Sequence, residues 1–292
     1  MKFVNLLLDN VKTVALVDTD MRKYWPVAEL APGYAGDMVQ LVQDYDRIKT
    51  NLVARGAGRP LAEAALLAPI DQPRRNIFCV GKNYFDHAAE FSKSGFDASA
   101  KEGEHVPEAP VVFTKAYSTV IGPGAPIPSH PGVASQLDYE AELAVVIGKP
   151  GRGIPKARAL EHVFGYTIVN DFTARDLQKL HRQWFLGKSL DGFCPMGPVL
   201  VTADEVDAGN LDIRCWVNGE LRQDANTRQL IFDIPTLIET ISAGITLQPG
   251  DIIATGTPAG VGIGFEPPRF VRSGDVIRIE VQGIGTLENT VD

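Results

Sequence analysis

Apolar and polar residues along this chain fall mostly into short blocks bounded by Gly and Pro, with helical spacing in only a few places. Residues 2–8 and 12–17 predict two strands, an opening β-hairpin. Met38, Leu41, Val42, Tyr45, Ile48 and Leu52 then recur at helical spacing and predict a helix from about Asp37 to Val53. "GAGRP" ends it, and "LAEAALL" after Pro60 reads as a short second helix. The proline-containing stretch 68–76, "APIDQPRRN", is the candidate linker. Residues 1–68 are therefore expected to form a small N-terminal α+β domain, and 69–292 the larger one.

From Asn76 onward strand composition dominates. "NIFCVGKNY", "APVVFTK", "YEAELAVVIG", "VFGYTIVND", "LDIRCWV", "GDIIATG" and "GDVIRIEV" lie between Gly and Pro punctuation. Asn218-Gly219 predicts a two-residue hairpin turn. Two helices interrupt the strands. One covers 173–182, with Thr173 and Asp176 spaced as a capping box. The other is "DIPTLIETISAG", with a cap near Asp233, Pro235 in its first turn and Gly244 at its end. The pattern predicts an α+β, predominantly β protein and not a doubly wound one.

Composition narrows the function classes. The net charge of −8 comes with no compensating Lys/Arg cluster, which argues against a nucleic-acid surface. Cys79, Cys194 and Cys215 show no CxxC spacing, so they suit reduced buried thiols in a cytoplasmic protein and give no zinc framework. The short apolar run at the start is broken by Asp9, Asn10 and Lys12, unlike a signal peptide. No apolar run approaches the roughly 18 residues that a membrane span needs.

One stretch asks for chemistry. In "LDYEAELAVVI" (137–147) strand alternation puts Asp138, Glu140 and Glu142 on the face that also carries Ala144 and Val146. This is either a solvated strand end or a site where Glu140 and Glu142, roughly 7 Å apart along the strand, jointly hold a divalent cation. Like charges beside an apolar interior raise each other's pKa unless a cation neutralises them. Asp138 is expected at the solvent end.

Other candidates are individually weaker. His87 and Glu90 are three residues apart and would meet on a helical turn, as a general base with its carboxylate or as a surface pair. Asp171 ends a strand, where catalytic acids sit, and read in isolation it serves first as a cap for the next helix. Arg175 and Gln178 share a face of that helix and could point at an anion. Lys188 sits in a Gly-flanked turn, either solvent-facing or donating to an oxyanion. "ATGTPAGVGIGF" lacks a P-loop ending; Thr255 and Thr257 there suit a small acid, or the segment is a plain turn.

Taken in order, "GKNYxDHxxE", "DYEAELAVVIGK", "GYTIVNDFTARDLQ", "FLGKSLDGFCPMGP", "VNGELRQ", "IATGTPAGVG" and "GDVIRIEVQGIGTLEN" closely resemble the fumarylacetoacetate hydrolase family from about residue 76 to the C-terminus. The resemblance implies a mixed β-sandwich roll holding Mg²⁺, with Mn²⁺ or Ca²⁺ as alternatives, on Glu140, Glu142 and Asp171. It implies that His87 and Glu90 activate water, that Lys188 steadies an oxyanion, and that Arg175, Gln178 and Thr257 contact substrate. "GKNYFD" lacks the fourth metal carboxylate of the founding hydrolase of tyrosine breakdown. The pattern is closer to the acylpyruvate hydrolase and oxaloacetate decarboxylase branch. The resulting expectation is Mg²⁺-dependent C–C cleavage of 2,4-dioxo acids by a cytoplasmic homodimer. Decarboxylation or isomerisation of 2-oxo acids is the alternative, and a non-catalytic metal-stabilised binding protein the remote one. Segment 91–110, charged and without periodicity, is expected to be a loop that closes on the site.

Overall fold

The computed structural model describes residues 1–93 and 106–292, so most of the expected 91–110 loop, residues 94–105, lies outside the described residues. The N-terminal part contributes strands β1 (Lys2–Leu8), β2 (Val11–Val17) and β3 (Lys23–Pro26), then helices α1 (Val27–Leu30) and α2 (Met38–Ile48). Two short strands follow, β4 (Arg59–Pro60) and β5 (Ala65–Leu67). The chain continues with β6 (Ile77–Gly81), helix α3 (Phe85–Lys93), β7 (Val111–Lys115), β8 (Val120–Ile121), β9 (Leu137–Asp138), β10 (Ala141–Ile147) and β11 (Val163–Asn170). Then come β12 (Thr173–Ala174), helices α4 (Arg175–His181) and α5 (Phe185–Lys188), and β13 (Cys194–Thr202). The last part holds β14 (Asp212–Val217), β15 (Glu220–Asn226), α6 (Ile234–Ser242), β16 (Ile252–Ala254), β17 (Val276–Val281) and β18 (Gly285–Thr290).

The architecture is α+β and predominantly β. Among the described residues a long mixed sheet runs β4-β3-β2-β1-β13-β11-β10-β16-β6-β7, with β5 on β1 and β8 on β13. A second sheet, β15-β14-β17-β18, includes the hairpin at Asn218-Gly219, whose φ values of 51° and 80° suit the primed turns that asparagine and glycine tolerate. Residues 1–68 are joined to the rest through backbone: β1 pairs with β13, Lys2 opposite Val201 and Phe3 opposite Leu200. They share a core as well, since Phe3, Leu16, Met38 and Leu41 pack in one cluster with Ala144 and Val146.

Strand β10 is the centre of the fold. It is flanked antiparallel by β11 and β16 and buried on both faces, which is why it reads as a nearly continuous apolar run. Ala141, Leu143, Val145 and Ile147 face one core, while Ala144 and Val146 face the other. Four expectations are corrected. "LAEAALL" is a 3₁₀ turn (Leu61–Glu63) followed by β5, because pairing with β1 offers it hydrogen bonds that an isolated seven-residue helix lacks. Helix α4 starts at Arg175 without a capping box: Thr173 belongs to β12 and donates to the Asp171 carbonyl, and Asp176 accepts from Ser135. Asp171 caps nothing there. Residues 91–93, expected as loop, complete α3. Among the described residues no helix is long and apolar enough to cross a membrane.

Gly165 in β11 lies against the backbone of β13, where an added Cβ would overlap the Val201 carbonyl. Gly165→Ala is therefore expected to destabilise the protein by about 1–3 kcal/mol through overpacking, read as a lowered Tm in calorimetry. An unchanged Tm would show that the β11–β13 pairing is looser than described.

Candidate metal centre and active site

The centre is built at the ends of two neighbouring strands. Glu140 precedes β10 and Glu142 lies inside it, while Asp171 follows the last residue of β11. Ala141 pairs with Asn170, and the Asp171 amide donates to the Glu140 carbonyl at 2.9 Å, so antiparallel pairing brings the three acids together. Each offers an oxygen within 4.8 Å of the others, and all three are buried. Glu142 keeps to the Ala144 and Val146 face, as alternation predicts.

Buried cations surround the cluster. Lys188 Nζ lies 2.7 Å from Glu140 Oε2 and 2.8 Å from Asp171 Oδ2. Arg175 reaches Glu140 Oε1 at 2.7 Å, and Lys115 reaches Asp171 Oδ1 at 2.7 Å. Burial alone would raise Glu140, but Lys188 and Arg175 outweigh it and hold the carboxyl down to about 2. Glu142 moves the other way: burial, then Asp171 and Glu140, push it well above the ordinary range, against the Lys188 charge and the Gly256 amide at 2.8 Å. Burial opposes the charge of Lys188, yet Asp171 and Glu140 prevail and raise its pKa.

These residues fit a divalent cation. Asp171 Oδ1 is buried without a hydrogen bond despite its proximity to Lys115, and Glu142 stays well above the ordinary carboxyl range despite Lys188 nearby. Three hard carboxylate donors suit Mg²⁺, Mn²⁺ or Ca²⁺ over zinc.

Helix α3 carries the histidine pair. His87 Nδ1 is 3.2 Å from Glu90 Oε2, and Glu90 accepts from the Gly260 amide at 3.1 Å. A Cβ on Gly264 would overlap the Glu90 carboxylate, so glycine there lets the loop close over it. Phe91 packs with Val261 and Ile263 of the same loop. His87, Glu140, Glu142, Arg175, Gln178, Lys188 and Thr257 all line one cavity; Asp171 lies behind Lys188, and Glu90 on the far side of His87. Thr257 Oγ1 accepts from Gln223 at 2.8 Å, which leaves its own proton to donate.

The structure thus gathers the nine residues singled out in the sequence around one centre, and it changes several details. Asp138 is fully buried and ion-paired to Arg175 at 2.9 Å, not at a solvent end. Lys188 is neither solvent-facing nor in a turn: it ends α5. Thr255 donates to the Leu143 carbonyl and extends the sheet, without lining the cavity. Asn83 ties Phe232 to Thr255, and Asp86 is exposed, so neither supplies a fourth carboxylate. Sequence reasoning missed Lys115 and the aromatic wall of Phe91, Phe113 and Trp184. A lysine closing the apolar strand "VVFTK" was the available signal for the first.

Comparison with known proteins places the chain among relatives. Residues 76–292 match the family model described as fumarylacetoacetate (FAA) hydrolase, C-terminal. The chain is 48% identical to the oxaloacetate tautomerase YisK of Bacillus subtilis (strain 168), over 99% of this chain and 96% of that one. Among solved structures, a fumarylacetoacetate hydrolase from psychrophilic Exiguobacterium antarcticum superposes with a TM-score of 0.84 at 42% identity, covering 100% of this chain and 99% of the other. A maleylpyruvate hydrolase from Sphingobium sp. SYK-6, solved with manganese(II) and pyruvate, gives 0.77 at 32% identity, covering 100% and 98%.

If the three acids hold a cation, Glu142 is the ligand whose neutralisation relieves the metal-free protein. A hundredfold excess of Mg²⁺ over its Kd adds about 2.7 kcal/mol of stability; Glu142→Gln should remove most of that gain while raising the metal-free Tm. The folded-state pKa of Glu142 lies above its ordinary 4.5, so the metal-free wild type should lose stability as the pH rises from there, and the variant should lose less. Thermal unfolding with and without Mg²⁺ reads both, and an unaltered Mg²⁺ shift in the variant would defeat the assignment.

Proposed function

This chain belongs to the fumarylacetoacetate hydrolase family, and we propose that it is a divalent-cation-dependent enzyme that moves a proton at the acidic carbon of small 2-oxo acids. The favoured reaction is keto–enol interconversion of oxaloacetate-like substrates. The observation that carries this reading is that His87, backed by Glu90, lines the same cavity as Glu140, Glu142, Arg175 and Lys188. End-to-end similarity to an oxaloacetate tautomerase supports it.

A cation on Glu140, Glu142 and Asp171, Mg²⁺ in our reading with Mn²⁺ or Ca²⁺ as alternatives, supplies Lewis-acid stabilisation of enolate charge. His87 does the proton transfer. Its Nδ1 faces the Glu90 carboxylate, which holds the proton on that nitrogen and leaves Nε2 as the base. Lys188, held protonated by Asp171 and Glu140, can only donate, and it steadies negative charge on an oxygen. Arg175, Gln178 and the Thr257 hydroxyl form the wall that grips the substrate carboxylate.

A second reading uses the same groups for Mg²⁺-dependent C–C hydrolysis of acylpyruvates. His87 Nε2 takes a proton from water as the water attacks the distal carbonyl, and Lys188 stabilises the tetrahedral oxyanion; collapse of that intermediate breaks the C–C bond, releasing a carboxylic acid and a 2-oxo acid enolate that takes the proton back from His87. Likeness to a maleylpyruvate hydrolase solved with a 2-oxo acid favours it. Decarboxylation of oxaloacetate needs charge stabilisation without the base. We also propose a homodimer, supported by the exposed apolar Leu180, Phe185 and Leu186 on α4 and α5.

Incubating the protein with Mg²⁺ and enol-oxaloacetate, and separately with a panel of acylpyruvates, discriminates the readings. Ultraviolet decay of the enol reports tautomerisation, and product identification reports cleavage. His87→Ala should lower the tautomerase kcat by about 10²–10⁴-fold and leave Mg²⁺ binding intact. Cleavage without tautomerisation would favour the second reading, and loss of Mg²⁺ binding in His87→Ala would overturn both.

A further inference from the structure

Asp138 is a fully buried acid that neither reading uses. Its Oδ2 accepts from Arg175 Nε at 2.9 Å and from the Ile263 amide at 3.2 Å; its Oδ1 accepts from the Gly262 amide at 2.6 Å and from the Tyr139 amide at 2.9 Å. Arg175 then spends its other two nitrogens on Glu140 Oε1 at 2.7 Å and Gln178 Oε1 at 3.1 Å. The segment that offers the Gly262 and Ile263 amides to Asp138 also offers the Gly260 amide to Glu90. A Cβ on Gly262 would lie 2.7 Å from Asp138 Oδ1, so the close approach requires glycine. One carboxylate therefore touches both the guanidinium on the substrate wall and the loop that seats the histidine pair.

We propose that Asp138 is a positioning residue that fixes Arg175 against the substrate carboxylate and holds the 260–263 segment beneath Glu90, so that the anion-gripping wall and the proton-transfer pair keep a set separation. It touches no reacting atom and acts through Arg175 and the loop. A guanidinium buried between two carboxylates takes its orientation from both. With Asp138 neutral, Arg175 turns toward Glu140 and leaves the substrate. The inference rests on the 2-oxo acid reading given above.

The test uses the full-length protein loaded with Mn²⁺ and oxalate as the probe, a planar dianion shaped like a 2-oxo acid enolate. Asp138→Asn keeps the side-chain volume and the acceptor for Gly262. Calorimetry should show oxalate binding weakened at least about tenfold, the scale of one misplaced charge-assisted hydrogen bond, with Mn²⁺ affinity changed by less than about threefold. On an Arg175→Lys background the same substitution should add less than about twofold, because both act through one contact. Should Asp138→Asn not fold, Arg175→Lys alone, which lacks the Nε–H bond to Asp138, must show the same oxalate loss with Mn²⁺ binding intact. Wild-type oxalate affinity in either single variant, or additive losses in the double variant, overturns the positioning role. If the Mn²⁺-loaded wild type itself fails to bind oxalate, the 2-oxo acid reading falls and takes this inference with it.

Discussion

Charge that cannot reach water has to be answered inside the protein, and that constraint organises this molecule. Asp138, Glu140, Glu142 and Asp171 are buried together, and Lys115, Arg175 and Lys188 are buried among them. Four acids face three bases, and the shortfall shows at Glu142, which burial, Asp171 and Glu140 push well above the ordinary range despite Lys188 nearby. Isolated ionised groups at such depth are costly by several kcal/mol each. A divalent cation is the economical way to hold these side chains ionised and close. The pairing also works outward: Lys188 ties Glu140 to Asp171, Arg175 ties Asp138 and Glu140 to Gln178, and Lys115 ties the end of β7 to Asp171, so the electrostatics locks strand ends and helix starts to one another.

The fold supplies the geometry on which that balance depends. Because β10 is covered on both faces and paired on both edges, its residues cannot twist away, and Glu142 is as fixed as the alanine two positions later. The register Ala141 to Asn170 sets Asp171 beside Glu140, and α4 and α5 follow directly, bringing Arg175 and Lys188 in from the opposite side. Helix α3 is attached differently. Among the described residues it meets the 260–264 loop through Phe91, Val261 and Ile263 and through the Gly260 amide bond to Glu90, and Phe91 also packs on Trp184. In the proposed function, the candidate metal ligands thus sit in or at the ends of central strands, and the candidate base sits on a separate helix.

How much of this was legible follows from which interactions are local. The period-2 pattern placed Glu140 and Glu142 correctly with Ala144 and Val146, and the three-residue spacing brought His87 to Glu90, because both are short-range facts. Asp138 was misjudged in exposure: it lies in β9, ahead of β10, and is buried by partners distant in sequence. Its partners, Arg175 and the Gly262 amide, are 37 and 124 residues away. Lys115 was marked only by closing the apolar strand "VVFTK"; its partner Asp171, 56 positions downstream just beyond β11, was not legible. "LAEAALL" carried helix-forming residues, and the open edge of β1 decided otherwise.

The groups that act on charge do not by themselves choose among tautomerisation, decarboxylation and C–C cleavage, since all three pass through an enolate next to a carboxylate. The choice falls to the surfaces that touch the rest of the substrate. Here that surface is aromatic: Trp184 stands edge-on to Phe91 and Phe113, with ring centroids 5.8 and 5.1 Å apart, and a side chain on Gly81 would strike its ring. Such a wall is largely apolar, while Lys188 and Lys82 lie over the faces of Phe113 and Phe91. In the proposed function, positive charge held against apolar rings favours a compact anion beside the acid cluster. On that reading the carboxylate cluster fixes what is activated, and the aromatic wall limits how large a molecule can be presented to it.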